Sequence, residues 1–208
     1  MKRSIIILGG GGHARVVIDA LRSAGQRILG VIDPKPEVAE SLPDGIPLLG
    51  PDLAAARPDH VLLALGVGST DVGTKNPRPS LYESSKSAGF TFVSFQHPSA
   101  ILAGNAKFGE GAQIMAGAVL QTGVRLGVNC IINTRASLDH DCQIGDHAHI
   151  APGAVLSGGV IIGDGCHIGT GAIVIHNIRI GAGAMISAGA VITRDVLPGA
   201  RVKPGPQG

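Results

Sequence analysis

Aromatic side chains are nearly missing from this 208-residue chain, which has no tryptophan, one tyrosine and four phenylalanines. A core without large rings has to be assembled from Ile, Leu, Val and Ala, and such small side chains fill space well when layers repeat regularly. Charge is scarce as well. The 17 Lys and Arg against 15 Asp and Glu leave a formal net charge of +2. That balance offers neither the basic footprint of a nucleic-acid binder nor an acidic tail. The cysteines, Cys130, Cys142 and Cys166, are odd in number and scattered, which argues against a disulfide framework and fits a reducing cytoplasm. The five-residue apolar run in "MKRSIIILGG" is too short for a signal peptide or a membrane span. The expectation is a cytoplasmic protein with no membrane span and no nucleic-acid partner.

Glycine is plentiful, with 32 residues, and the chain uses it in two ways. Over residues 1–96 short apolar runs alternate with helical patterns. "SIIIL" reads as a buried strand, "GGGG" as a turn, and "HARVVIDALRSAG" as a helix ending at Gly25. "RILGVID", "HVLLALG" and "FTFVSF" read as three more strands, with "RPSLYESSKSAG" a helix before the last. Strand–helix–strand alternation predicts a parallel sheet, here a half-Rossmann domain of α/β class.

From Ile101 the period changes. Written in sixes, the chain runs ILAGNA, KFGEGA, QIMAGA and onward to VITRDV, and the second position is apolar in all 16 hexads. At the chain's apolar frequency of 44%, chance gives that roughly once in half a million. The sixth position is always Ala, Val, Cys or Ile, and the fifth is Gly, Asn or Asp in 14 of 16. Those three types tolerate a left-handed backbone. A short strand and a corner every six residues make a triangular coil of 18 residues per turn, with turns about 4.8 Å apart. This is the hexapeptide β-helix repeat, assigned to residues 97–208. Second and sixth positions point inward, so the three cysteines, all sixth-position residues, read as small core side chains.

Function is therefore expected on outward positions. Residues 18 apart stack, which places His149 beside His167 and puts His140 and His176 in one column two turns apart. A lone histidine on such a face is ordinarily solvated. His140 differs because "DHDC" flanks it with carboxylates, and a carboxylate beside imidazole raises its basicity, as a proton-accepting group requires. Asp141 also has a backbone reason to sit at a corner. On composition alone both readings stay open.

These repeats resemble the left-handed β-helix acyltransferases. Together with "GGGGHARVV", "VIDP", "LALG", "HPSA", "DHDCQIGDHAHIAPGAVLSGGVIIG" and "PGARV", the whole chain is similar to bacterial sugar O- and N-acyltransferases of the sialic acid O-acetyltransferase type. That group includes N-acetyltransferases of nucleotide-linked amino sugars. The resemblance implies a homotrimer with acetyl-CoA lying between adjacent β-helices and no metal. It implies His140 as general base with Asp141 raising its basicity, and His149, Gly158 and Thr170 as acetyl-CoA contacts. Asn133 would help orient the substrate. By the same match Gly11, Gly12, His13, Asp33 and Gly66 would hold the nucleotide sugar. An O-acetyltransferase acting on a sialic-acid-like sugar is the alternative. A zinc hydratase on the same coil would need a third converging histidine, and position 181 is glycine.

The glycine loop taken alone suggests NAD, since Gly9, Gly11 and Ala14 fit a loose dinucleotide fingerprint and Asp33 ends the next strand. Half of the dinucleotide crevice is missing, however, and a nucleotide sugar with its pyrophosphate on the helix N-terminus fits better. Two segments depart from the pattern. "GVGSTDVGTKNPRPS" is expected as a surface loop near the nucleotide site. "PGARVKPGPQG" is a Pro/Gly tail in which Arg201 and Lys203, with nearby Arg194, would meet CoA phosphates or remain solvated. One outward column, Ile101, Val119, Val155, Ile173 and Val191 interrupted only by Ser137, predicts a subunit interface independently of the resemblance.

Overall fold

The computed structural model describes residues 3–68 and 76–203. Strand β1 (Ser4–Leu8) is buried almost throughout and leads through the glycine turn into helix α1 (Gly12–Ser23). The helix follows from the spacing of Ala14, Val17, Ile18 and Leu21, which are all buried on one side. Strands β2 (Ile28–Ile32), β3 (Leu48–Gly50) and β4 (Val61–Leu65) complete a four-stranded parallel sheet in the order β3-β2-β1-β4. Helix α2 (Pro77–Ser87) starts at Asn76, whose side chain accepts a hydrogen bond from the Arg78 backbone N–H, with proline at the first turn.

One strand assignment needs correction. "FTFVSF" does not form a strand of this sheet. Phe92 makes only an isolated parallel bridge to Leu63, while β5 (Phe95–Gln96) pairs with Gln113–Ile114 and opens the coil. The fourth strand is Leu48–Gly50, a three-residue edge strand with no fully buried residue. It is too short and too exposed to leave an alternating apolar signature. The alternation in "FTFVSF" reflects packing on both neighbours. Phe90 and Phe92 sit in one apolar cluster with Tyr82, and Phe95 sits in another with α1.

The β-helix has three faces, of seven, six and five parallel strands. The seven-stranded face runs from Phe95–Gln96 to Arg201–Val202, the six-stranded from Ile101–Leu102 to Val191–Ile192, and the five-stranded from Lys107–Phe108 to Arg179–Ile180. Registers step by 18 residues, as in Ser137↔Val155, Gln143↔Ile161 and His149↔His167, until the last coil, where Met185↔Arg201 and the Ile180↔Val196 bridge step by 16. Second- and sixth-position residues form one continuous core from Ile114 to Val196. The three cysteines are in it, unbonded to each other. Each thiol donates to a carbonyl of the next coil: Cys130 to Gly145 (3.1 Å), Cys142 to Ser157 (3.3 Å) and Cys166 to Gly181 (3.0 Å). Burial pushes Cys130 up to about 12 and Cys142 to about 11, so these thiols stay protonated and unreactive.

The fifth position carries the corners. Asn129, Arg135, Asp141, His147 and Asn177 all have φ between 55° and 60°. Arg135 and His147, the two exceptions to the Gly/Asn/Asp rule, adopt the same left-handed geometry as the others. The two parts of the chain are joined by polar contacts as well as apolar ones. Gln113 on the seven-stranded face donates to the Leu65 carbonyl (2.8 Å). Lys86 of α2 pairs with Glu110 (2.9 Å), which also accepts the Phe92 N–H (2.7 Å).

Candidate active site

The structure sorts the expected site residues into three groups. The first lies at the corner between the six- and five-stranded faces. His140 leaves the wall with its imidazole largely exposed, and its Nδ1 is 3.0 Å from Asp141 Oδ2. The Asp139 carboxylate accepts the His140 backbone N–H (2.7 Å). The hydrogen bond to Asp141 holds the imidazole above its ordinary range, with Asp139 and the Asp141 charge adding to it. A carboxylate at Nδ1 fixes the proton there in the neutral ring and leaves Nε2 as the nitrogen with the free lone pair. Gly158, one coil on, lies under this ring: a Cβ there would collide with His140 Nε2 and lie 2.5 Å from Cε1. Gly158 is therefore part of the histidine's seat.

The second group lies on the seven-stranded face. His149 is buried, and its ring meets His167 edge-on at 4.9 Å between centroids. Asn133 Oδ1 accepts the Thr134 N–H (2.8 Å), so its amide nitrogen donates to His149 Nε2 (3.1 Å). Thr170 is exposed beside His167 in a shallow cleft of about 230 Å3 that includes Met185 and Ser187. Within one chain this group and His140 flank the six-stranded face from opposite sides.

The third group surrounds a cavity of about 700 Å3 at the C-terminal ends of β1 and β2, lined by Gly9, Gly11, Asp33, Lys35, Val38 and Leu53 among others. Gly11 caps α1 with no side-chain bond to the helix, so the first-turn N–H groups at Gly12 and His13 are available to an anion. Asp33 has both oxygens engaged, accepting from Gly10 N (2.8 Å) and Lys35 N (2.9 Å). It clamps the glycine turn to the end of β2. Gly66 is buried where β4 ends, and a Cβ there would collide with Gly9 O and press on Ala14. His13 turns away from the cavity mouth toward the β-helix. Its Nε2 lies 2.9 Å from Gln113 Oε1 and, because the Gln113 amide nitrogen donates to Leu65, must carry the hydrogen. Burial and the Arg78 charge lower His13 to about 4 against the Gln113 bond, so it is neutral at pH 7.

Gln113, Arg78 and Gly123 were not singled out by the sequence. Gln113 is 1% exposed, and a buried amide in a first-position column is visible only once the N-terminal sheet is docked. Arg78 is 1% exposed, donates to Val67 O (2.7 Å), and is lowered to about 9 by burial. Residues 69–75, seven of the fifteen in the expected polar loop, and the tail 204–208 lie outside the described residues, while the last four residues of that segment, Pro77 to Ser80, are the first turn of α2 rather than loop. Arg201 contacts Met185 Sδ (3.2 Å), and Arg194 and Lys203 are exposed. Among the described residues no group of three metal-ligating side chains comes together, and no helix is long and apolar enough to cross a membrane.

A parallel β-helix of hexads, an α/β unit at its N-terminus and a carboxylate-bound imidazole on its wall define a hexapeptide-type transferase. Residues 4–75 match the PglD N-terminal domain, and residues 159–194 match the bacterial transferase hexapeptide (six repeats). No curated protein matches the sequence. Perosamine N-acetyltransferase from Caulobacter crescentus, solved as a histidine-to-asparagine mutant with CoA and GDP-perosamine, is 33% identical with a TM-score of 0.82, over 97% of this chain and 93% of that one. The acetyltransferase domain of PglB from Neisseria gonorrhoeae in complex with acetyl coenzyme A is 32% identical with a TM-score of 0.86, over 97% and 96%. The chain belongs to the hexapeptide-repeat sugar N-acetyltransferases that carry a PglD-type N-terminal domain.

Proposed function

We propose that this enzyme moves the acetyl group of acetyl-CoA onto the amino group of a nucleotide-linked amino sugar, with His140 as general base and Asp141 as its electrostatic partner. The observation that carries this reading is the His140 Nδ1–Asp141 Oδ2 bond of 3.0 Å on an exposed corner. The amine nitrogen attacks the thioester carbonyl carbon and its proton passes to His140 Nε2. When the tetrahedral intermediate collapses, the C–S bond breaks and the imidazolium returns the proton to sulfur, giving the amide and CoA thiol. A backbone N–H beside the carbonyl would stabilise the oxyanion.

The nucleotide would occupy the 700 Å3 cavity, its diphosphate at the uncapped start of α1. His149, Asn133 and Thr170 would line the acetyl-CoA groove. Because His140 and His149 flank opposite sides of the six-stranded face, the complete site needs two copies. The exposed column Ile101, Val155, Ile173 and Val191 lies on that same face. Packing it around a threefold axis would bring one chain's His140 toward the next chain's His149, in a cytoplasmic homotrimer. Relatives named for N-acetylation support an amine acceptor over a hydroxyl. The test offers purified enzyme and acetyl-CoA to a panel of nucleotide 3-amino and 4-amino sugars and their hydroxyl counterparts, following thiol release and product mass. Turnover of an amino sugar with an added acetyl mass is expected. Turnover of hydroxyl acceptors alone would move the enzyme to the O-acetyl branch.

A further inference from the structure

The corner between the six- and five-stranded faces has a regular column of fifth-position residues, Asn105, Gly123, Asp141, Gly159 and Asn177, one per coil. Side chains and glycines alternate through its middle. Asn177 lies over Gly159, where a Cβ would meet its Oδ1, and Asp141 lies over Gly123 in the same way. A Cβ on Gly123 would collide with Asp141 Oδ1 and sit 3.3 Å from its Cγ. Gly123 is itself held in place, its N–H donating to Asn105 Oδ1 (3.2 Å), while the Thr122 carbonyl accepts the Asp141 N–H (2.9 Å).

We propose that Gly123 is a positioning residue for the reaction: the space left by its missing side chain seats one oxygen of Asp141 so that the other meets His140 Nδ1. The inference rests on the reading of His140 and Asp141 as base and partner. The pair straddles its own coil, with the carboxylate over the coil before, at Gly123, and the ring over the coil after, at Gly158. Most left-handed glycines of the β-helix have no such role. Gly153, Gly165, Gly171, Gly183 and Gly189 have φ of 64° to 70° and open space where a Cβ would go. At those corners glycine serves the backbone alone. Gly123 has φ 77° and serves the backbone and the carboxylate together. Asp139 is the other carboxylate near the ring. The column neighbours of His140 one coil away, Thr122 and Gly158, do not titrate.

The test compares Gly123→Ala with Gly165→Ala, which places the same methyl at the same kind of corner in open space, and with Asp141→Asn. Three quantities are read: the titration midpoint of His140 by NMR without substrates, kcat and KM across pH, and the thermal midpoint. Gly123→Ala and Asp141→Asn are expected to lower the His140 midpoint together. Both should reduce kcat by about tenfold, a fraction of what a general base contributes, with KM for acetyl-CoA unchanged. Gly165→Ala is expected to lose comparable thermal stability while keeping the His140 midpoint and kcat. Gly123→Asn is the second variant if alanine does not fold, because asparagine already occupies left-handed corners at Asn129 and Asn177 yet carries the same Cβ. A wild-type His140 midpoint in either Gly123 variant, or an equal shift in Gly165→Ala, overturns the proposal. A lowered midpoint with unchanged kcat leaves the seat standing and overturns His140 as the base.

Discussion

Gln113 and Arg125 are both first-position residues of their hexads, yet Gln113 is 1% exposed and Arg125 is open to solvent. The difference marks two regions of the molecule that settle burial by different rules. Within the β-helix from Ile114 onward, hexad position decides: second- and sixth-position residues are inside and most others face outward, whereas Phe108 on the first coil is 40% exposed. Where the N-terminal sheet docks on the seven-stranded face, tertiary packing overrides that rule, and outward residues such as Gln113 and Met115 become buried. The histidines follow the same division. His140 stands on the free part of the coil and is held above its ordinary range by Asp141. His13 sits at the junction and is depressed to about 4 by burial. The carboxylate makes His140 the more basic imidazole, and burial keeps His13 neutral within its hydrogen bond.

Substitutions in each region test whether the two rules are distinct. The largest effect is expected at the exposed apolar column. Ile173→Asp places an unpaired carboxylate on the six-stranded face and should abolish the proposed trimer and most activity, with light scattering reading a monomer; an unchanged oligomeric state would remove that face from the interface. Next comes the inner wall. Leu156 is fully buried in the coil core, so Leu156→Ala should cost about 2–5 kcal/mol by denaturant unfolding, whereas Val155→Ala one residue earlier, on the outside, should change monomer stability little. The smallest effect is at the junction. Because folding lowers the His13 pKa from 6.5 to about 4, the folded state binds fewer protons in that window. Its contribution is present above pH 6.5 and lost as pH falls toward 4, by at most about 1.4 kcal/mol per pH unit. His13→Gln cannot titrate and should flatten that part of the stability-against-pH curve, while an unchanged slope would assign the acid sensitivity elsewhere.

Much of the β-helix was legible in the sequence because each hexad repeats one local decision. The inward Ile, the small sixth residue and the left-handed fifth recur until coincidence is excluded, and Ser137↔Val155 or His149↔His167 follow by counting eighteen. The N-terminal sheet has no such redundancy. Leu48–Gly50 is three residues long and leaves no period, and the phenylalanines of "FTFVSF" alternate because they serve two clusters on either side of a junction. In the candidate site, the neighbourhood of His140 and Asp141 could be read from "DHDC". The seat beneath it at Gly123 could not, since a glycine at a corner looks the same whether it frees the backbone or makes room for a carboxylate. The commitment of both Asp33 oxygens to backbone N–H groups is likewise a fact of three dimensions.

The most direct test replaces the base itself. His140→Ala leaves an exposed corner with its left-handed neighbour Asp141 intact, so the circular dichroism spectrum, oligomeric state and KM for acetyl-CoA should match the wild type. The predicted result is a fall in kcat of about 10²–10⁴, with the limb of the pH profile that rises through the His140 pKa removed. A folded variant with near wild-type kcat and an unaltered pH profile would contradict the assignment of proton transfer to this imidazole.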